Sequence, residues 1–267
     1  MLKAVEITYQ YEDGTTALSD ISFDTQKGQV IGVIGSNGAG KSTLFKCLTG
    51  LVKPKSGNIY MEDVELVYNK SSIQKLRQQV NMVFQDPEKQ IFFPRVYDDV
   101  AFGPRNLKWN EADVAFHVNL SIEKTGLENL IEKPVHYLSF GQKKRVAISG
   151  ILAMNCQVII FDEPEAGLDP SMKKRMVSIM QELAHQGKTI IISSHNMDLI
   201  YELTDYVYVL HKGKMLGEGS TQTVLANEDL LLQADLEMPW LVRVCKNLNM
   251  PIVKVESELY SHWESVK

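Results

Sequence analysis

An α/β fold with a parallel sheet is what this 267-residue sequence predicts, and three observations predict it. Short apolar runs recur at Val30–Ile34, Val80–Phe84, Val158–Phe161 and Thr189–Ile192, the pattern of strands buried on both faces. Helical patterns fall between them, roughly Lys41–Gly50, Ala112–Thr125, Gly141–Met154 and Pro170–His185, and strands alternating with helices imply a parallel sheet with crossover helices. A glycine-rich segment links the first run to the first helix, at the end of a strand where open parallel sheets bind ligands.

Taken in chain order, the first sixty residues are otherwise strand-like. Alternation around Val5–Tyr9 and Ile21–Phe23 flanks the turn signal Glu12-Asp13-Gly14. The stretch from about Ser71 to Ala153 carries more helix than sheet, so it is expected to form a subdomain inserted between core strands. Tyr206–His211 and Lys214–Gly217 around Lys212-Gly213 form a closing hairpin, and residues 220–250 are helical in pattern. No repeat of solenoid period is present.

Composition narrows the classes. A 44% hydrophobic and 23% charged sequence buries a sizeable core and excludes disorder. The longest uncharged stretch, Val146–Phe161, is interrupted by Ser149, Asn155 and Gln157, short of the roughly 20 apolar residues of a membrane-spanning helix. Met1–Glu6 lacks the apolar core of a secretory leader, so none is expected. Cys47, Cys156 and Cys245 are scattered and show no CxxC spacing, as in a reduced protein without a zinc knuckle. Of the net charge of -5, residues 218–267 contribute -4 (eight acidic, four basic), leaving -1 for residues 1–217. That balance offers no electrostatic footprint for nucleic acid.

Gly35-Ser36-Asn37-Gly38-Ala39-Gly40-Lys41-Ser42 fits GxxxxGK[ST] between strand and helix. Glycines let successive backbone N–H groups turn inward around phosphate oxygens, and the helix presents its positive end. Lys41 can reach the β- and γ-phosphates, and the Ser42 hydroxyl can hold Mg²⁺. Further on, Val158-Ile159-Ile160-Phe161 runs into Asp162-Glu163. Alone, such a pair is commonly a solvated loop; beside a phosphate loop, Asp162 would hold Mg²⁺ through water and Glu163 would polarise an attacking water.

Leu138-Ser139-Phe140-Gly141-Gln142-Lys143-Lys144-Arg145, lying upstream of Asp162, resembles the signature motif of ATP-binding-cassette (ABC) ATPases. The rest of that family's motif order accompanies it from about Leu2 to Gly219. Tyr11 matches the aromatic that stacks on adenine, Gln85 in Val83-Phe84-Gln85-Asp86 the loop glutamine, Ala166-Gly167-Leu168-Asp169 the D-loop, and His195 the switch histidine. The resemblance implies a P-loop NTPase, ABC-type nucleotide-binding domain. Its parts would be an N-terminal antiparallel β-subdomain, a parallel-sheet core and an inserted helical subdomain (roughly 71–153). The cassette would occupy residues 1–219, with a short helical extension at 220–267.

It also implies ATP and Mg²⁺ as ligands, with Thr43 beside the phosphates, Ser42, Gln85 and Asp162 on the metal, and Glu163 and His195 as catalytic residues. Two such domains would meet head to tail, each ATP held by one phosphate loop and by Ser139, Phe140, Gly141, Gln142 and Asp169 of the facing copy. Read singly, Ser139 is a helix cap, Tyr11 a strand core residue and His195 a loop histidine; motif order favours the functional roles. Two residues depart from the family pattern: Phe140 stands where Gly is usual, and Glu165 where Thr is usual. Glu165 is expected to face away from the γ-phosphate, since a further anion there would oppose ATP binding.

Phe84–Phe92 and Val96–Pro104, with Leu138–Ile148 and Gly150–Met154, resemble energy-coupling-factor importers, most of all the ATP-binding subunit of cobalt or nickel importers. That implies an integral membrane transporter subunit and a substrate-capture membrane subunit as partners. It also implies a peripheral place on the cytoplasmic face of a prokaryotic membrane. Phe92, Phe93 and Val96 would then form an apolar docking strip, or else subdomain core. Alternatives left open are an importer for a vitamin or other small nutrient, a non-transport ABC ATPase, and a non-catalytic half of an unequal pair.

Overall fold

Alternating apolar residues in the first 24 positions give two nine-residue strands, β1 (Leu2–Gln10) and β2 (Thr16–Asp24), paired antiparallel around the turn at Glu12–Gly14. The computed structural model describes residues 1–266, with side chains through Ser261. It divides into two units, Met1–Glu65 with Ile191–Lys267, and Leu66–Ile190.

In the first unit, β3 (Val30–Ile34) is buried along its whole length and leads through the glycine-rich loop into α1 (Lys41–Leu48). β4 (Ser56–Met61) then pairs antiparallel with the other side of β1, and β5 (Val64–Glu65) adds an edge, giving the order β2-β1-β4-β5.

The second unit begins with α2 (Lys70–Gln79), capped by Asn69, whose side chain accepts from the Ser72 N–H. β6 (Val80–Val83) follows and pairs in parallel with β7 (Val158–Asp162), Val80 opposite Val158. A core strand thus lies inside the 71–153 stretch. The helical packing gathers α3 (Val96–Asn106), α4 (Glu111–Thr125) and α5 (Phe140–Ala153) around Val96, Val100, Val114, Val118, Ile122 and Val146. α4 ends on Gly126 in the left-handed conformation, and Arg145 Nη1 donates to the Thr125 and Gly126 carbonyls left open there. α6 (Pro170–His185) starts on the Asp169 cap with Pro170 at its first position, where the missing N–H costs nothing.

β8 (Thr189–Ser193) carries the chain back to the first unit, where α7 (Met197–Leu203) precedes the hairpin β9 (Tyr206–His211) and β10 (Lys214–Ser220). β9 runs parallel to β3. The fully buried Tyr208 ties β9 to β2, its hydroxyl accepting from the Asp24 N–H and donating to the Asp24 carbonyl. Beyond it come α8 (Thr221–Leu225), α9 (Glu228–Gln233), α10 (Trp240–Asn247) and α11 (Glu256–Val266). Among the described residues no helix is long and apolar enough to cross a membrane. All three cysteines are buried thiols, and burial pushes Cys47 up to about 12.

Candidate active site

The first unit holds the phosphate loop at the end of β3. Gly35 has φ +153°, and a Cβ there would lie 2.2 Å from the Leu210 carbonyl oxygen, so only glycine lets the loop leave the strand beside β9. Gly38 and Gly40 also have positive φ, and α1 begins immediately after Gly40. Lys41 is buried and its ammonium folds back over the loop, donating to the Gly35 carbonyl at 2.6 Å and the Ser36 carbonyl at 3.1 Å. Ser42 is half-buried and Thr43 buried. Tyr11 keeps 40% of its surface exposed while its hydroxyl bonds that of Thr43 at 2.8 Å, with Tyr9 edge-on to its ring. Ser36 and Asn37 line a cleft of about 460 Å³ together with the exposed His195, Asp198, Asp235 and Arg243. This backbone cradle, with a cation and hydroxyls at a helix start, fits a nucleotide's phosphates and an oxygen-seeking metal.

The second unit holds the acidic strand end and the signature. Asp162 is buried at the tip of β7, and Glu163 follows with φ +48°. The Gln85 amide donates to Glu163 Oε2 at 2.7 Å, joining the loop after β6 to the end of β7. Ser139 caps α5 reciprocally: its hydroxyl oxygen accepts from the Gln142 N–H at 3.3 Å, and Gln142 Oε1 accepts from the Ser139 N–H at 2.9 Å. The capping role is therefore real, and it leaves the Ser139 hydroxyl proton free of the cap. Phe140 is 46% exposed and its ring covers Gly167, where an added Cβ would lie 2.5 Å from the ring. Gly141 approaches the Gly167 carbonyl, so signature and D-loop pack together. Asp169 Oδ1 accepts from the Met172 N–H as the α6 cap.

Comparison with known proteins decides the family. The ABC transporter family model matches residues 18–166, which take in the phosphate loop, Gln85, the signature and Asp162-Glu163. The chain belongs to the ABC transporter family. A Listeria monocytogenes protein described as an ABC transporter ATP-binding protein is 48% identical over 262 residues, 98% of each chain. An energy-coupling factor transporter ATP-binding protein, EcfA of Methanosphaera stadtmanae, is 40% identical over 93% of this chain and 90% of its own. The solved structure of cbiO1 from Clostridium perfringens, part of the ABC transporter complex cbiONQ, is 39% identical. It superposes with a TM-score of 0.75 over 92% of this chain and 98% of that one. This ABC protein is an ATPase subunit of the energy-coupling-factor type.

Within the ABC protein, two features escape sequence reasoning. Lys144, two residues past Gln142, is fully buried although a lysine early in a helix reads as solvated. Asp235 and Arg243 come from the extension after β10 to line the cleft beside His195, and the Trp240 N–H donates to Asp198 Oδ1 at 2.7 Å; no local pattern announces this. Of the strip expected either to dock or to form subdomain core, Val96 is core. Val96 is fully buried in the helical cluster, because the stripe Val96, Val100, Ala101 and Pro104 turns one face of α3 inward. Phe92 is 70% exposed and Phe93 38%, and they line a 330 Å³ groove with Ile91, Pro94, Val135 and Lys143. Glu165 is half-buried, and its charge acts on Lys144.

Proposed function

We propose that this ATPase subunit energises an importer for cobalt or nickel ions, docked on the cytoplasmic face of a membrane through another chain. The observation that carries the hydrolytic part is the 2.7 Å contact of Gln85 with Glu163. It puts a carboxylate suited to polarising water in direct contact with the loop that leads on to Phe92 and Phe93, the residues expected to dock on the membrane subunit. The cobalt part rests on the likeness to cbiO1 of the cbiONQ complex. A vitamin or other small nutrient is the second reading, since the likeness to an energy-coupling factor transporter ATP-binding protein, at 40% identity, is as strong as the 39% to cbiO1.

In this reading residues 1–219 act as the cassette and 220–267 as its extension. The phosphate loop, residues 35–43, holds the phosphates of ATP, Tyr11 supports the adenine, and His195 contacts the γ-phosphate. Ser42, Gln85 and Asp162 are oxygen donors of the kind Mg²⁺ takes; the ion supplies charge neutralisation on the phosphates. Ser139, Phe140, Gly141, Gln142 and Asp169 face the nucleotide of a second cassette, a copy of this chain or a similar one. ATP favours the closed pair because it gains contacts only there, and cleavage assisted by Glu163 removes the γ-phosphate that bridges them. Phe92 and Phe93 seat the membrane subunit in their groove.

The test is purification of the tagged chain from membranes, with identification of the partner chains and ATP-dependent uptake of Co²⁺, Ni²⁺ and vitamins in parallel. Copurifying membrane subunits with Co²⁺ or Ni²⁺ uptake are expected. Vitamin uptake without metal uptake would overturn the cobalt reading, and the absence of any membrane chain would overturn transport.

A further inference from the structure

Lys144 stands in α5 five residues after the Ser139 cap, fully buried. Its ammonium has three N–H donors, and three carbonyl oxygens accept them: Phe84 at 3.2 Å, Gln85 at 2.7 Å and Glu163 at 3.2 Å. These acceptors are not scattered. Two belong to the loop that carries the Gln85 side chain, and the third belongs to Glu163 itself, whose side chain that amide meets. One nitrogen therefore fixes both backbones, while the side chains close the bridge at 2.7 Å.

A buried ammonium is retained only where its donors are matched, because desolvation of an unmatched charge is costly. Burial lowers Lys144 to about 8, against the opposing influence of Asp162, Glu165, Glu163 and Asp86. A methionine of similar length would fill the same space without that desolvation. The cation is instead spent on aligning three carbonyls. Glu163 has φ +48°, a left-handed conformation that a side-chain-bearing residue adopts only at a cost. Surrounding contacts must over-determine such a backbone, and the Lys144 bond to the Glu163 carbonyl is one of them.

We infer that Lys144 is a positioning residue for ATP hydrolysis, locking the Gln85 loop and the Glu163 backbone to the helix that begins at the signature, so that the Gln85–Glu163 bridge is kept. The inference rests on Glu163 being the residue that polarises water. It assigns Lys144 no contact with nucleotide, so its loss acts on turnover and spares affinity.

The experiment measures kcat for phosphate release and the Kd of a fluorescent ATP analogue on the full chain. The variants are Lys144→Met, which keeps no donor, and Lys144→Gln, which keeps two, with Glu163→Gln in parallel. Expected are kcat losses of at least tenfold for Lys144→Met and at least threefold for Lys144→Gln, with Kd within threefold of the parent for both. Either folded variant suffices, so failure of Lys144→Met to fold leaves the decision to Lys144→Gln. A kcat loss below threefold in a folded variant overturns the inference, as does an affinity loss equal to the kcat loss. Turnover retained by Glu163→Gln overturns the role of Glu163 instead, and the two failures are read from different proteins.

Discussion

Replacing Glu163 by glutamine separates two roles that its position allows. The carboxylate accepts the Gln85 amide at 2.7 Å, and it is the carboxylate proposed to polarise water at the end of β7. The glutamine side chain keeps the length of glutamate, and its amide oxygen accepts the same Gln85 N–H. Only the charge of that bond is lost. A hydrogen bond to a charged group is worth about 1.5–3 kcal/mol and a neutral one about 0.5–1.5, so anchoring alone loses about 1 kcal/mol, roughly fivefold in rate at 1.36 kcal/mol per decade. Loss of a positioned general base costs about 10²–10⁴-fold, or roughly 2.7–5.5 kcal/mol. The two roles are therefore far enough apart to be distinguished in one assay. Phosphate release is measured at saturating ATP, alongside Kd for a fluorescent ATP analogue and the sedimentation of the chain with ATP. Expected are a kcat loss of at least about 100-fold, affinity retained because the substitution keeps the length of the side chain and its bond to Gln85, and an ATP-bound dimer that persists. A loss below about fivefold would refute the assignment of Glu163 as the base and leave it an anchor for the Gln85 loop.

Three further outcomes follow from the same geometry. Lys41→Ala removes the bonds to the Gly35 and Ser36 carbonyls as well as the charge proposed to meet the phosphates; at about 1.5–3 kcal/mol for charge-assisted bonds, Kd for ATP rises roughly 10- to 100-fold in a fluorescence titration. Gly35→Ala forces a Cβ to within 2.2 Å of the Leu210 carbonyl and costs about 3 kcal/mol, a fall of roughly 6–12 °C in Tm. Gly38→Ala, at φ +76° with nothing within 4 Å, costs only the backbone strain of about 1–2 kcal/mol, and calorimetry ranks the pair. Phe92→Ser removes the most exposed ring of the groove, and the yield of membrane subunit copurified with the chain drops severalfold.

What the sequence discloses, and what it withholds, follows the distance over which each feature is built. The buried runs that became β3, β6, β7 and β8 are set by contiguous apolar residues, and the phosphate loop by glycines within eight positions; both are local, and both are legible. α3 is hidden because a Gly-Pro pair such as Gly103-Pro104 ordinarily ends a helix, whereas Pro104 sits in its last turn and supplies a buried face. Val96 stays ambiguous in the sequence for the same reason: without the helix, its inward stripe has no register, and docking strip and subdomain core read alike. Lys144 is the extreme case. Its carbonyl partners lie 60, 59 and 19 residues away, so no window of sequence contains the set that makes its burial possible. A lysine early in a helix is ordinarily a solvated side chain, with its stem on the surface and its charge in water. Here the backbone turns of two loops converge on it, and the energetic demand of that buried cation in turn constrains where those loops can go. Local motifs mark the residues proposed to meet nucleotide, whereas the backbones that carry Gln85 and Glu163 are joined by a lysine to which no nucleotide contact is assigned.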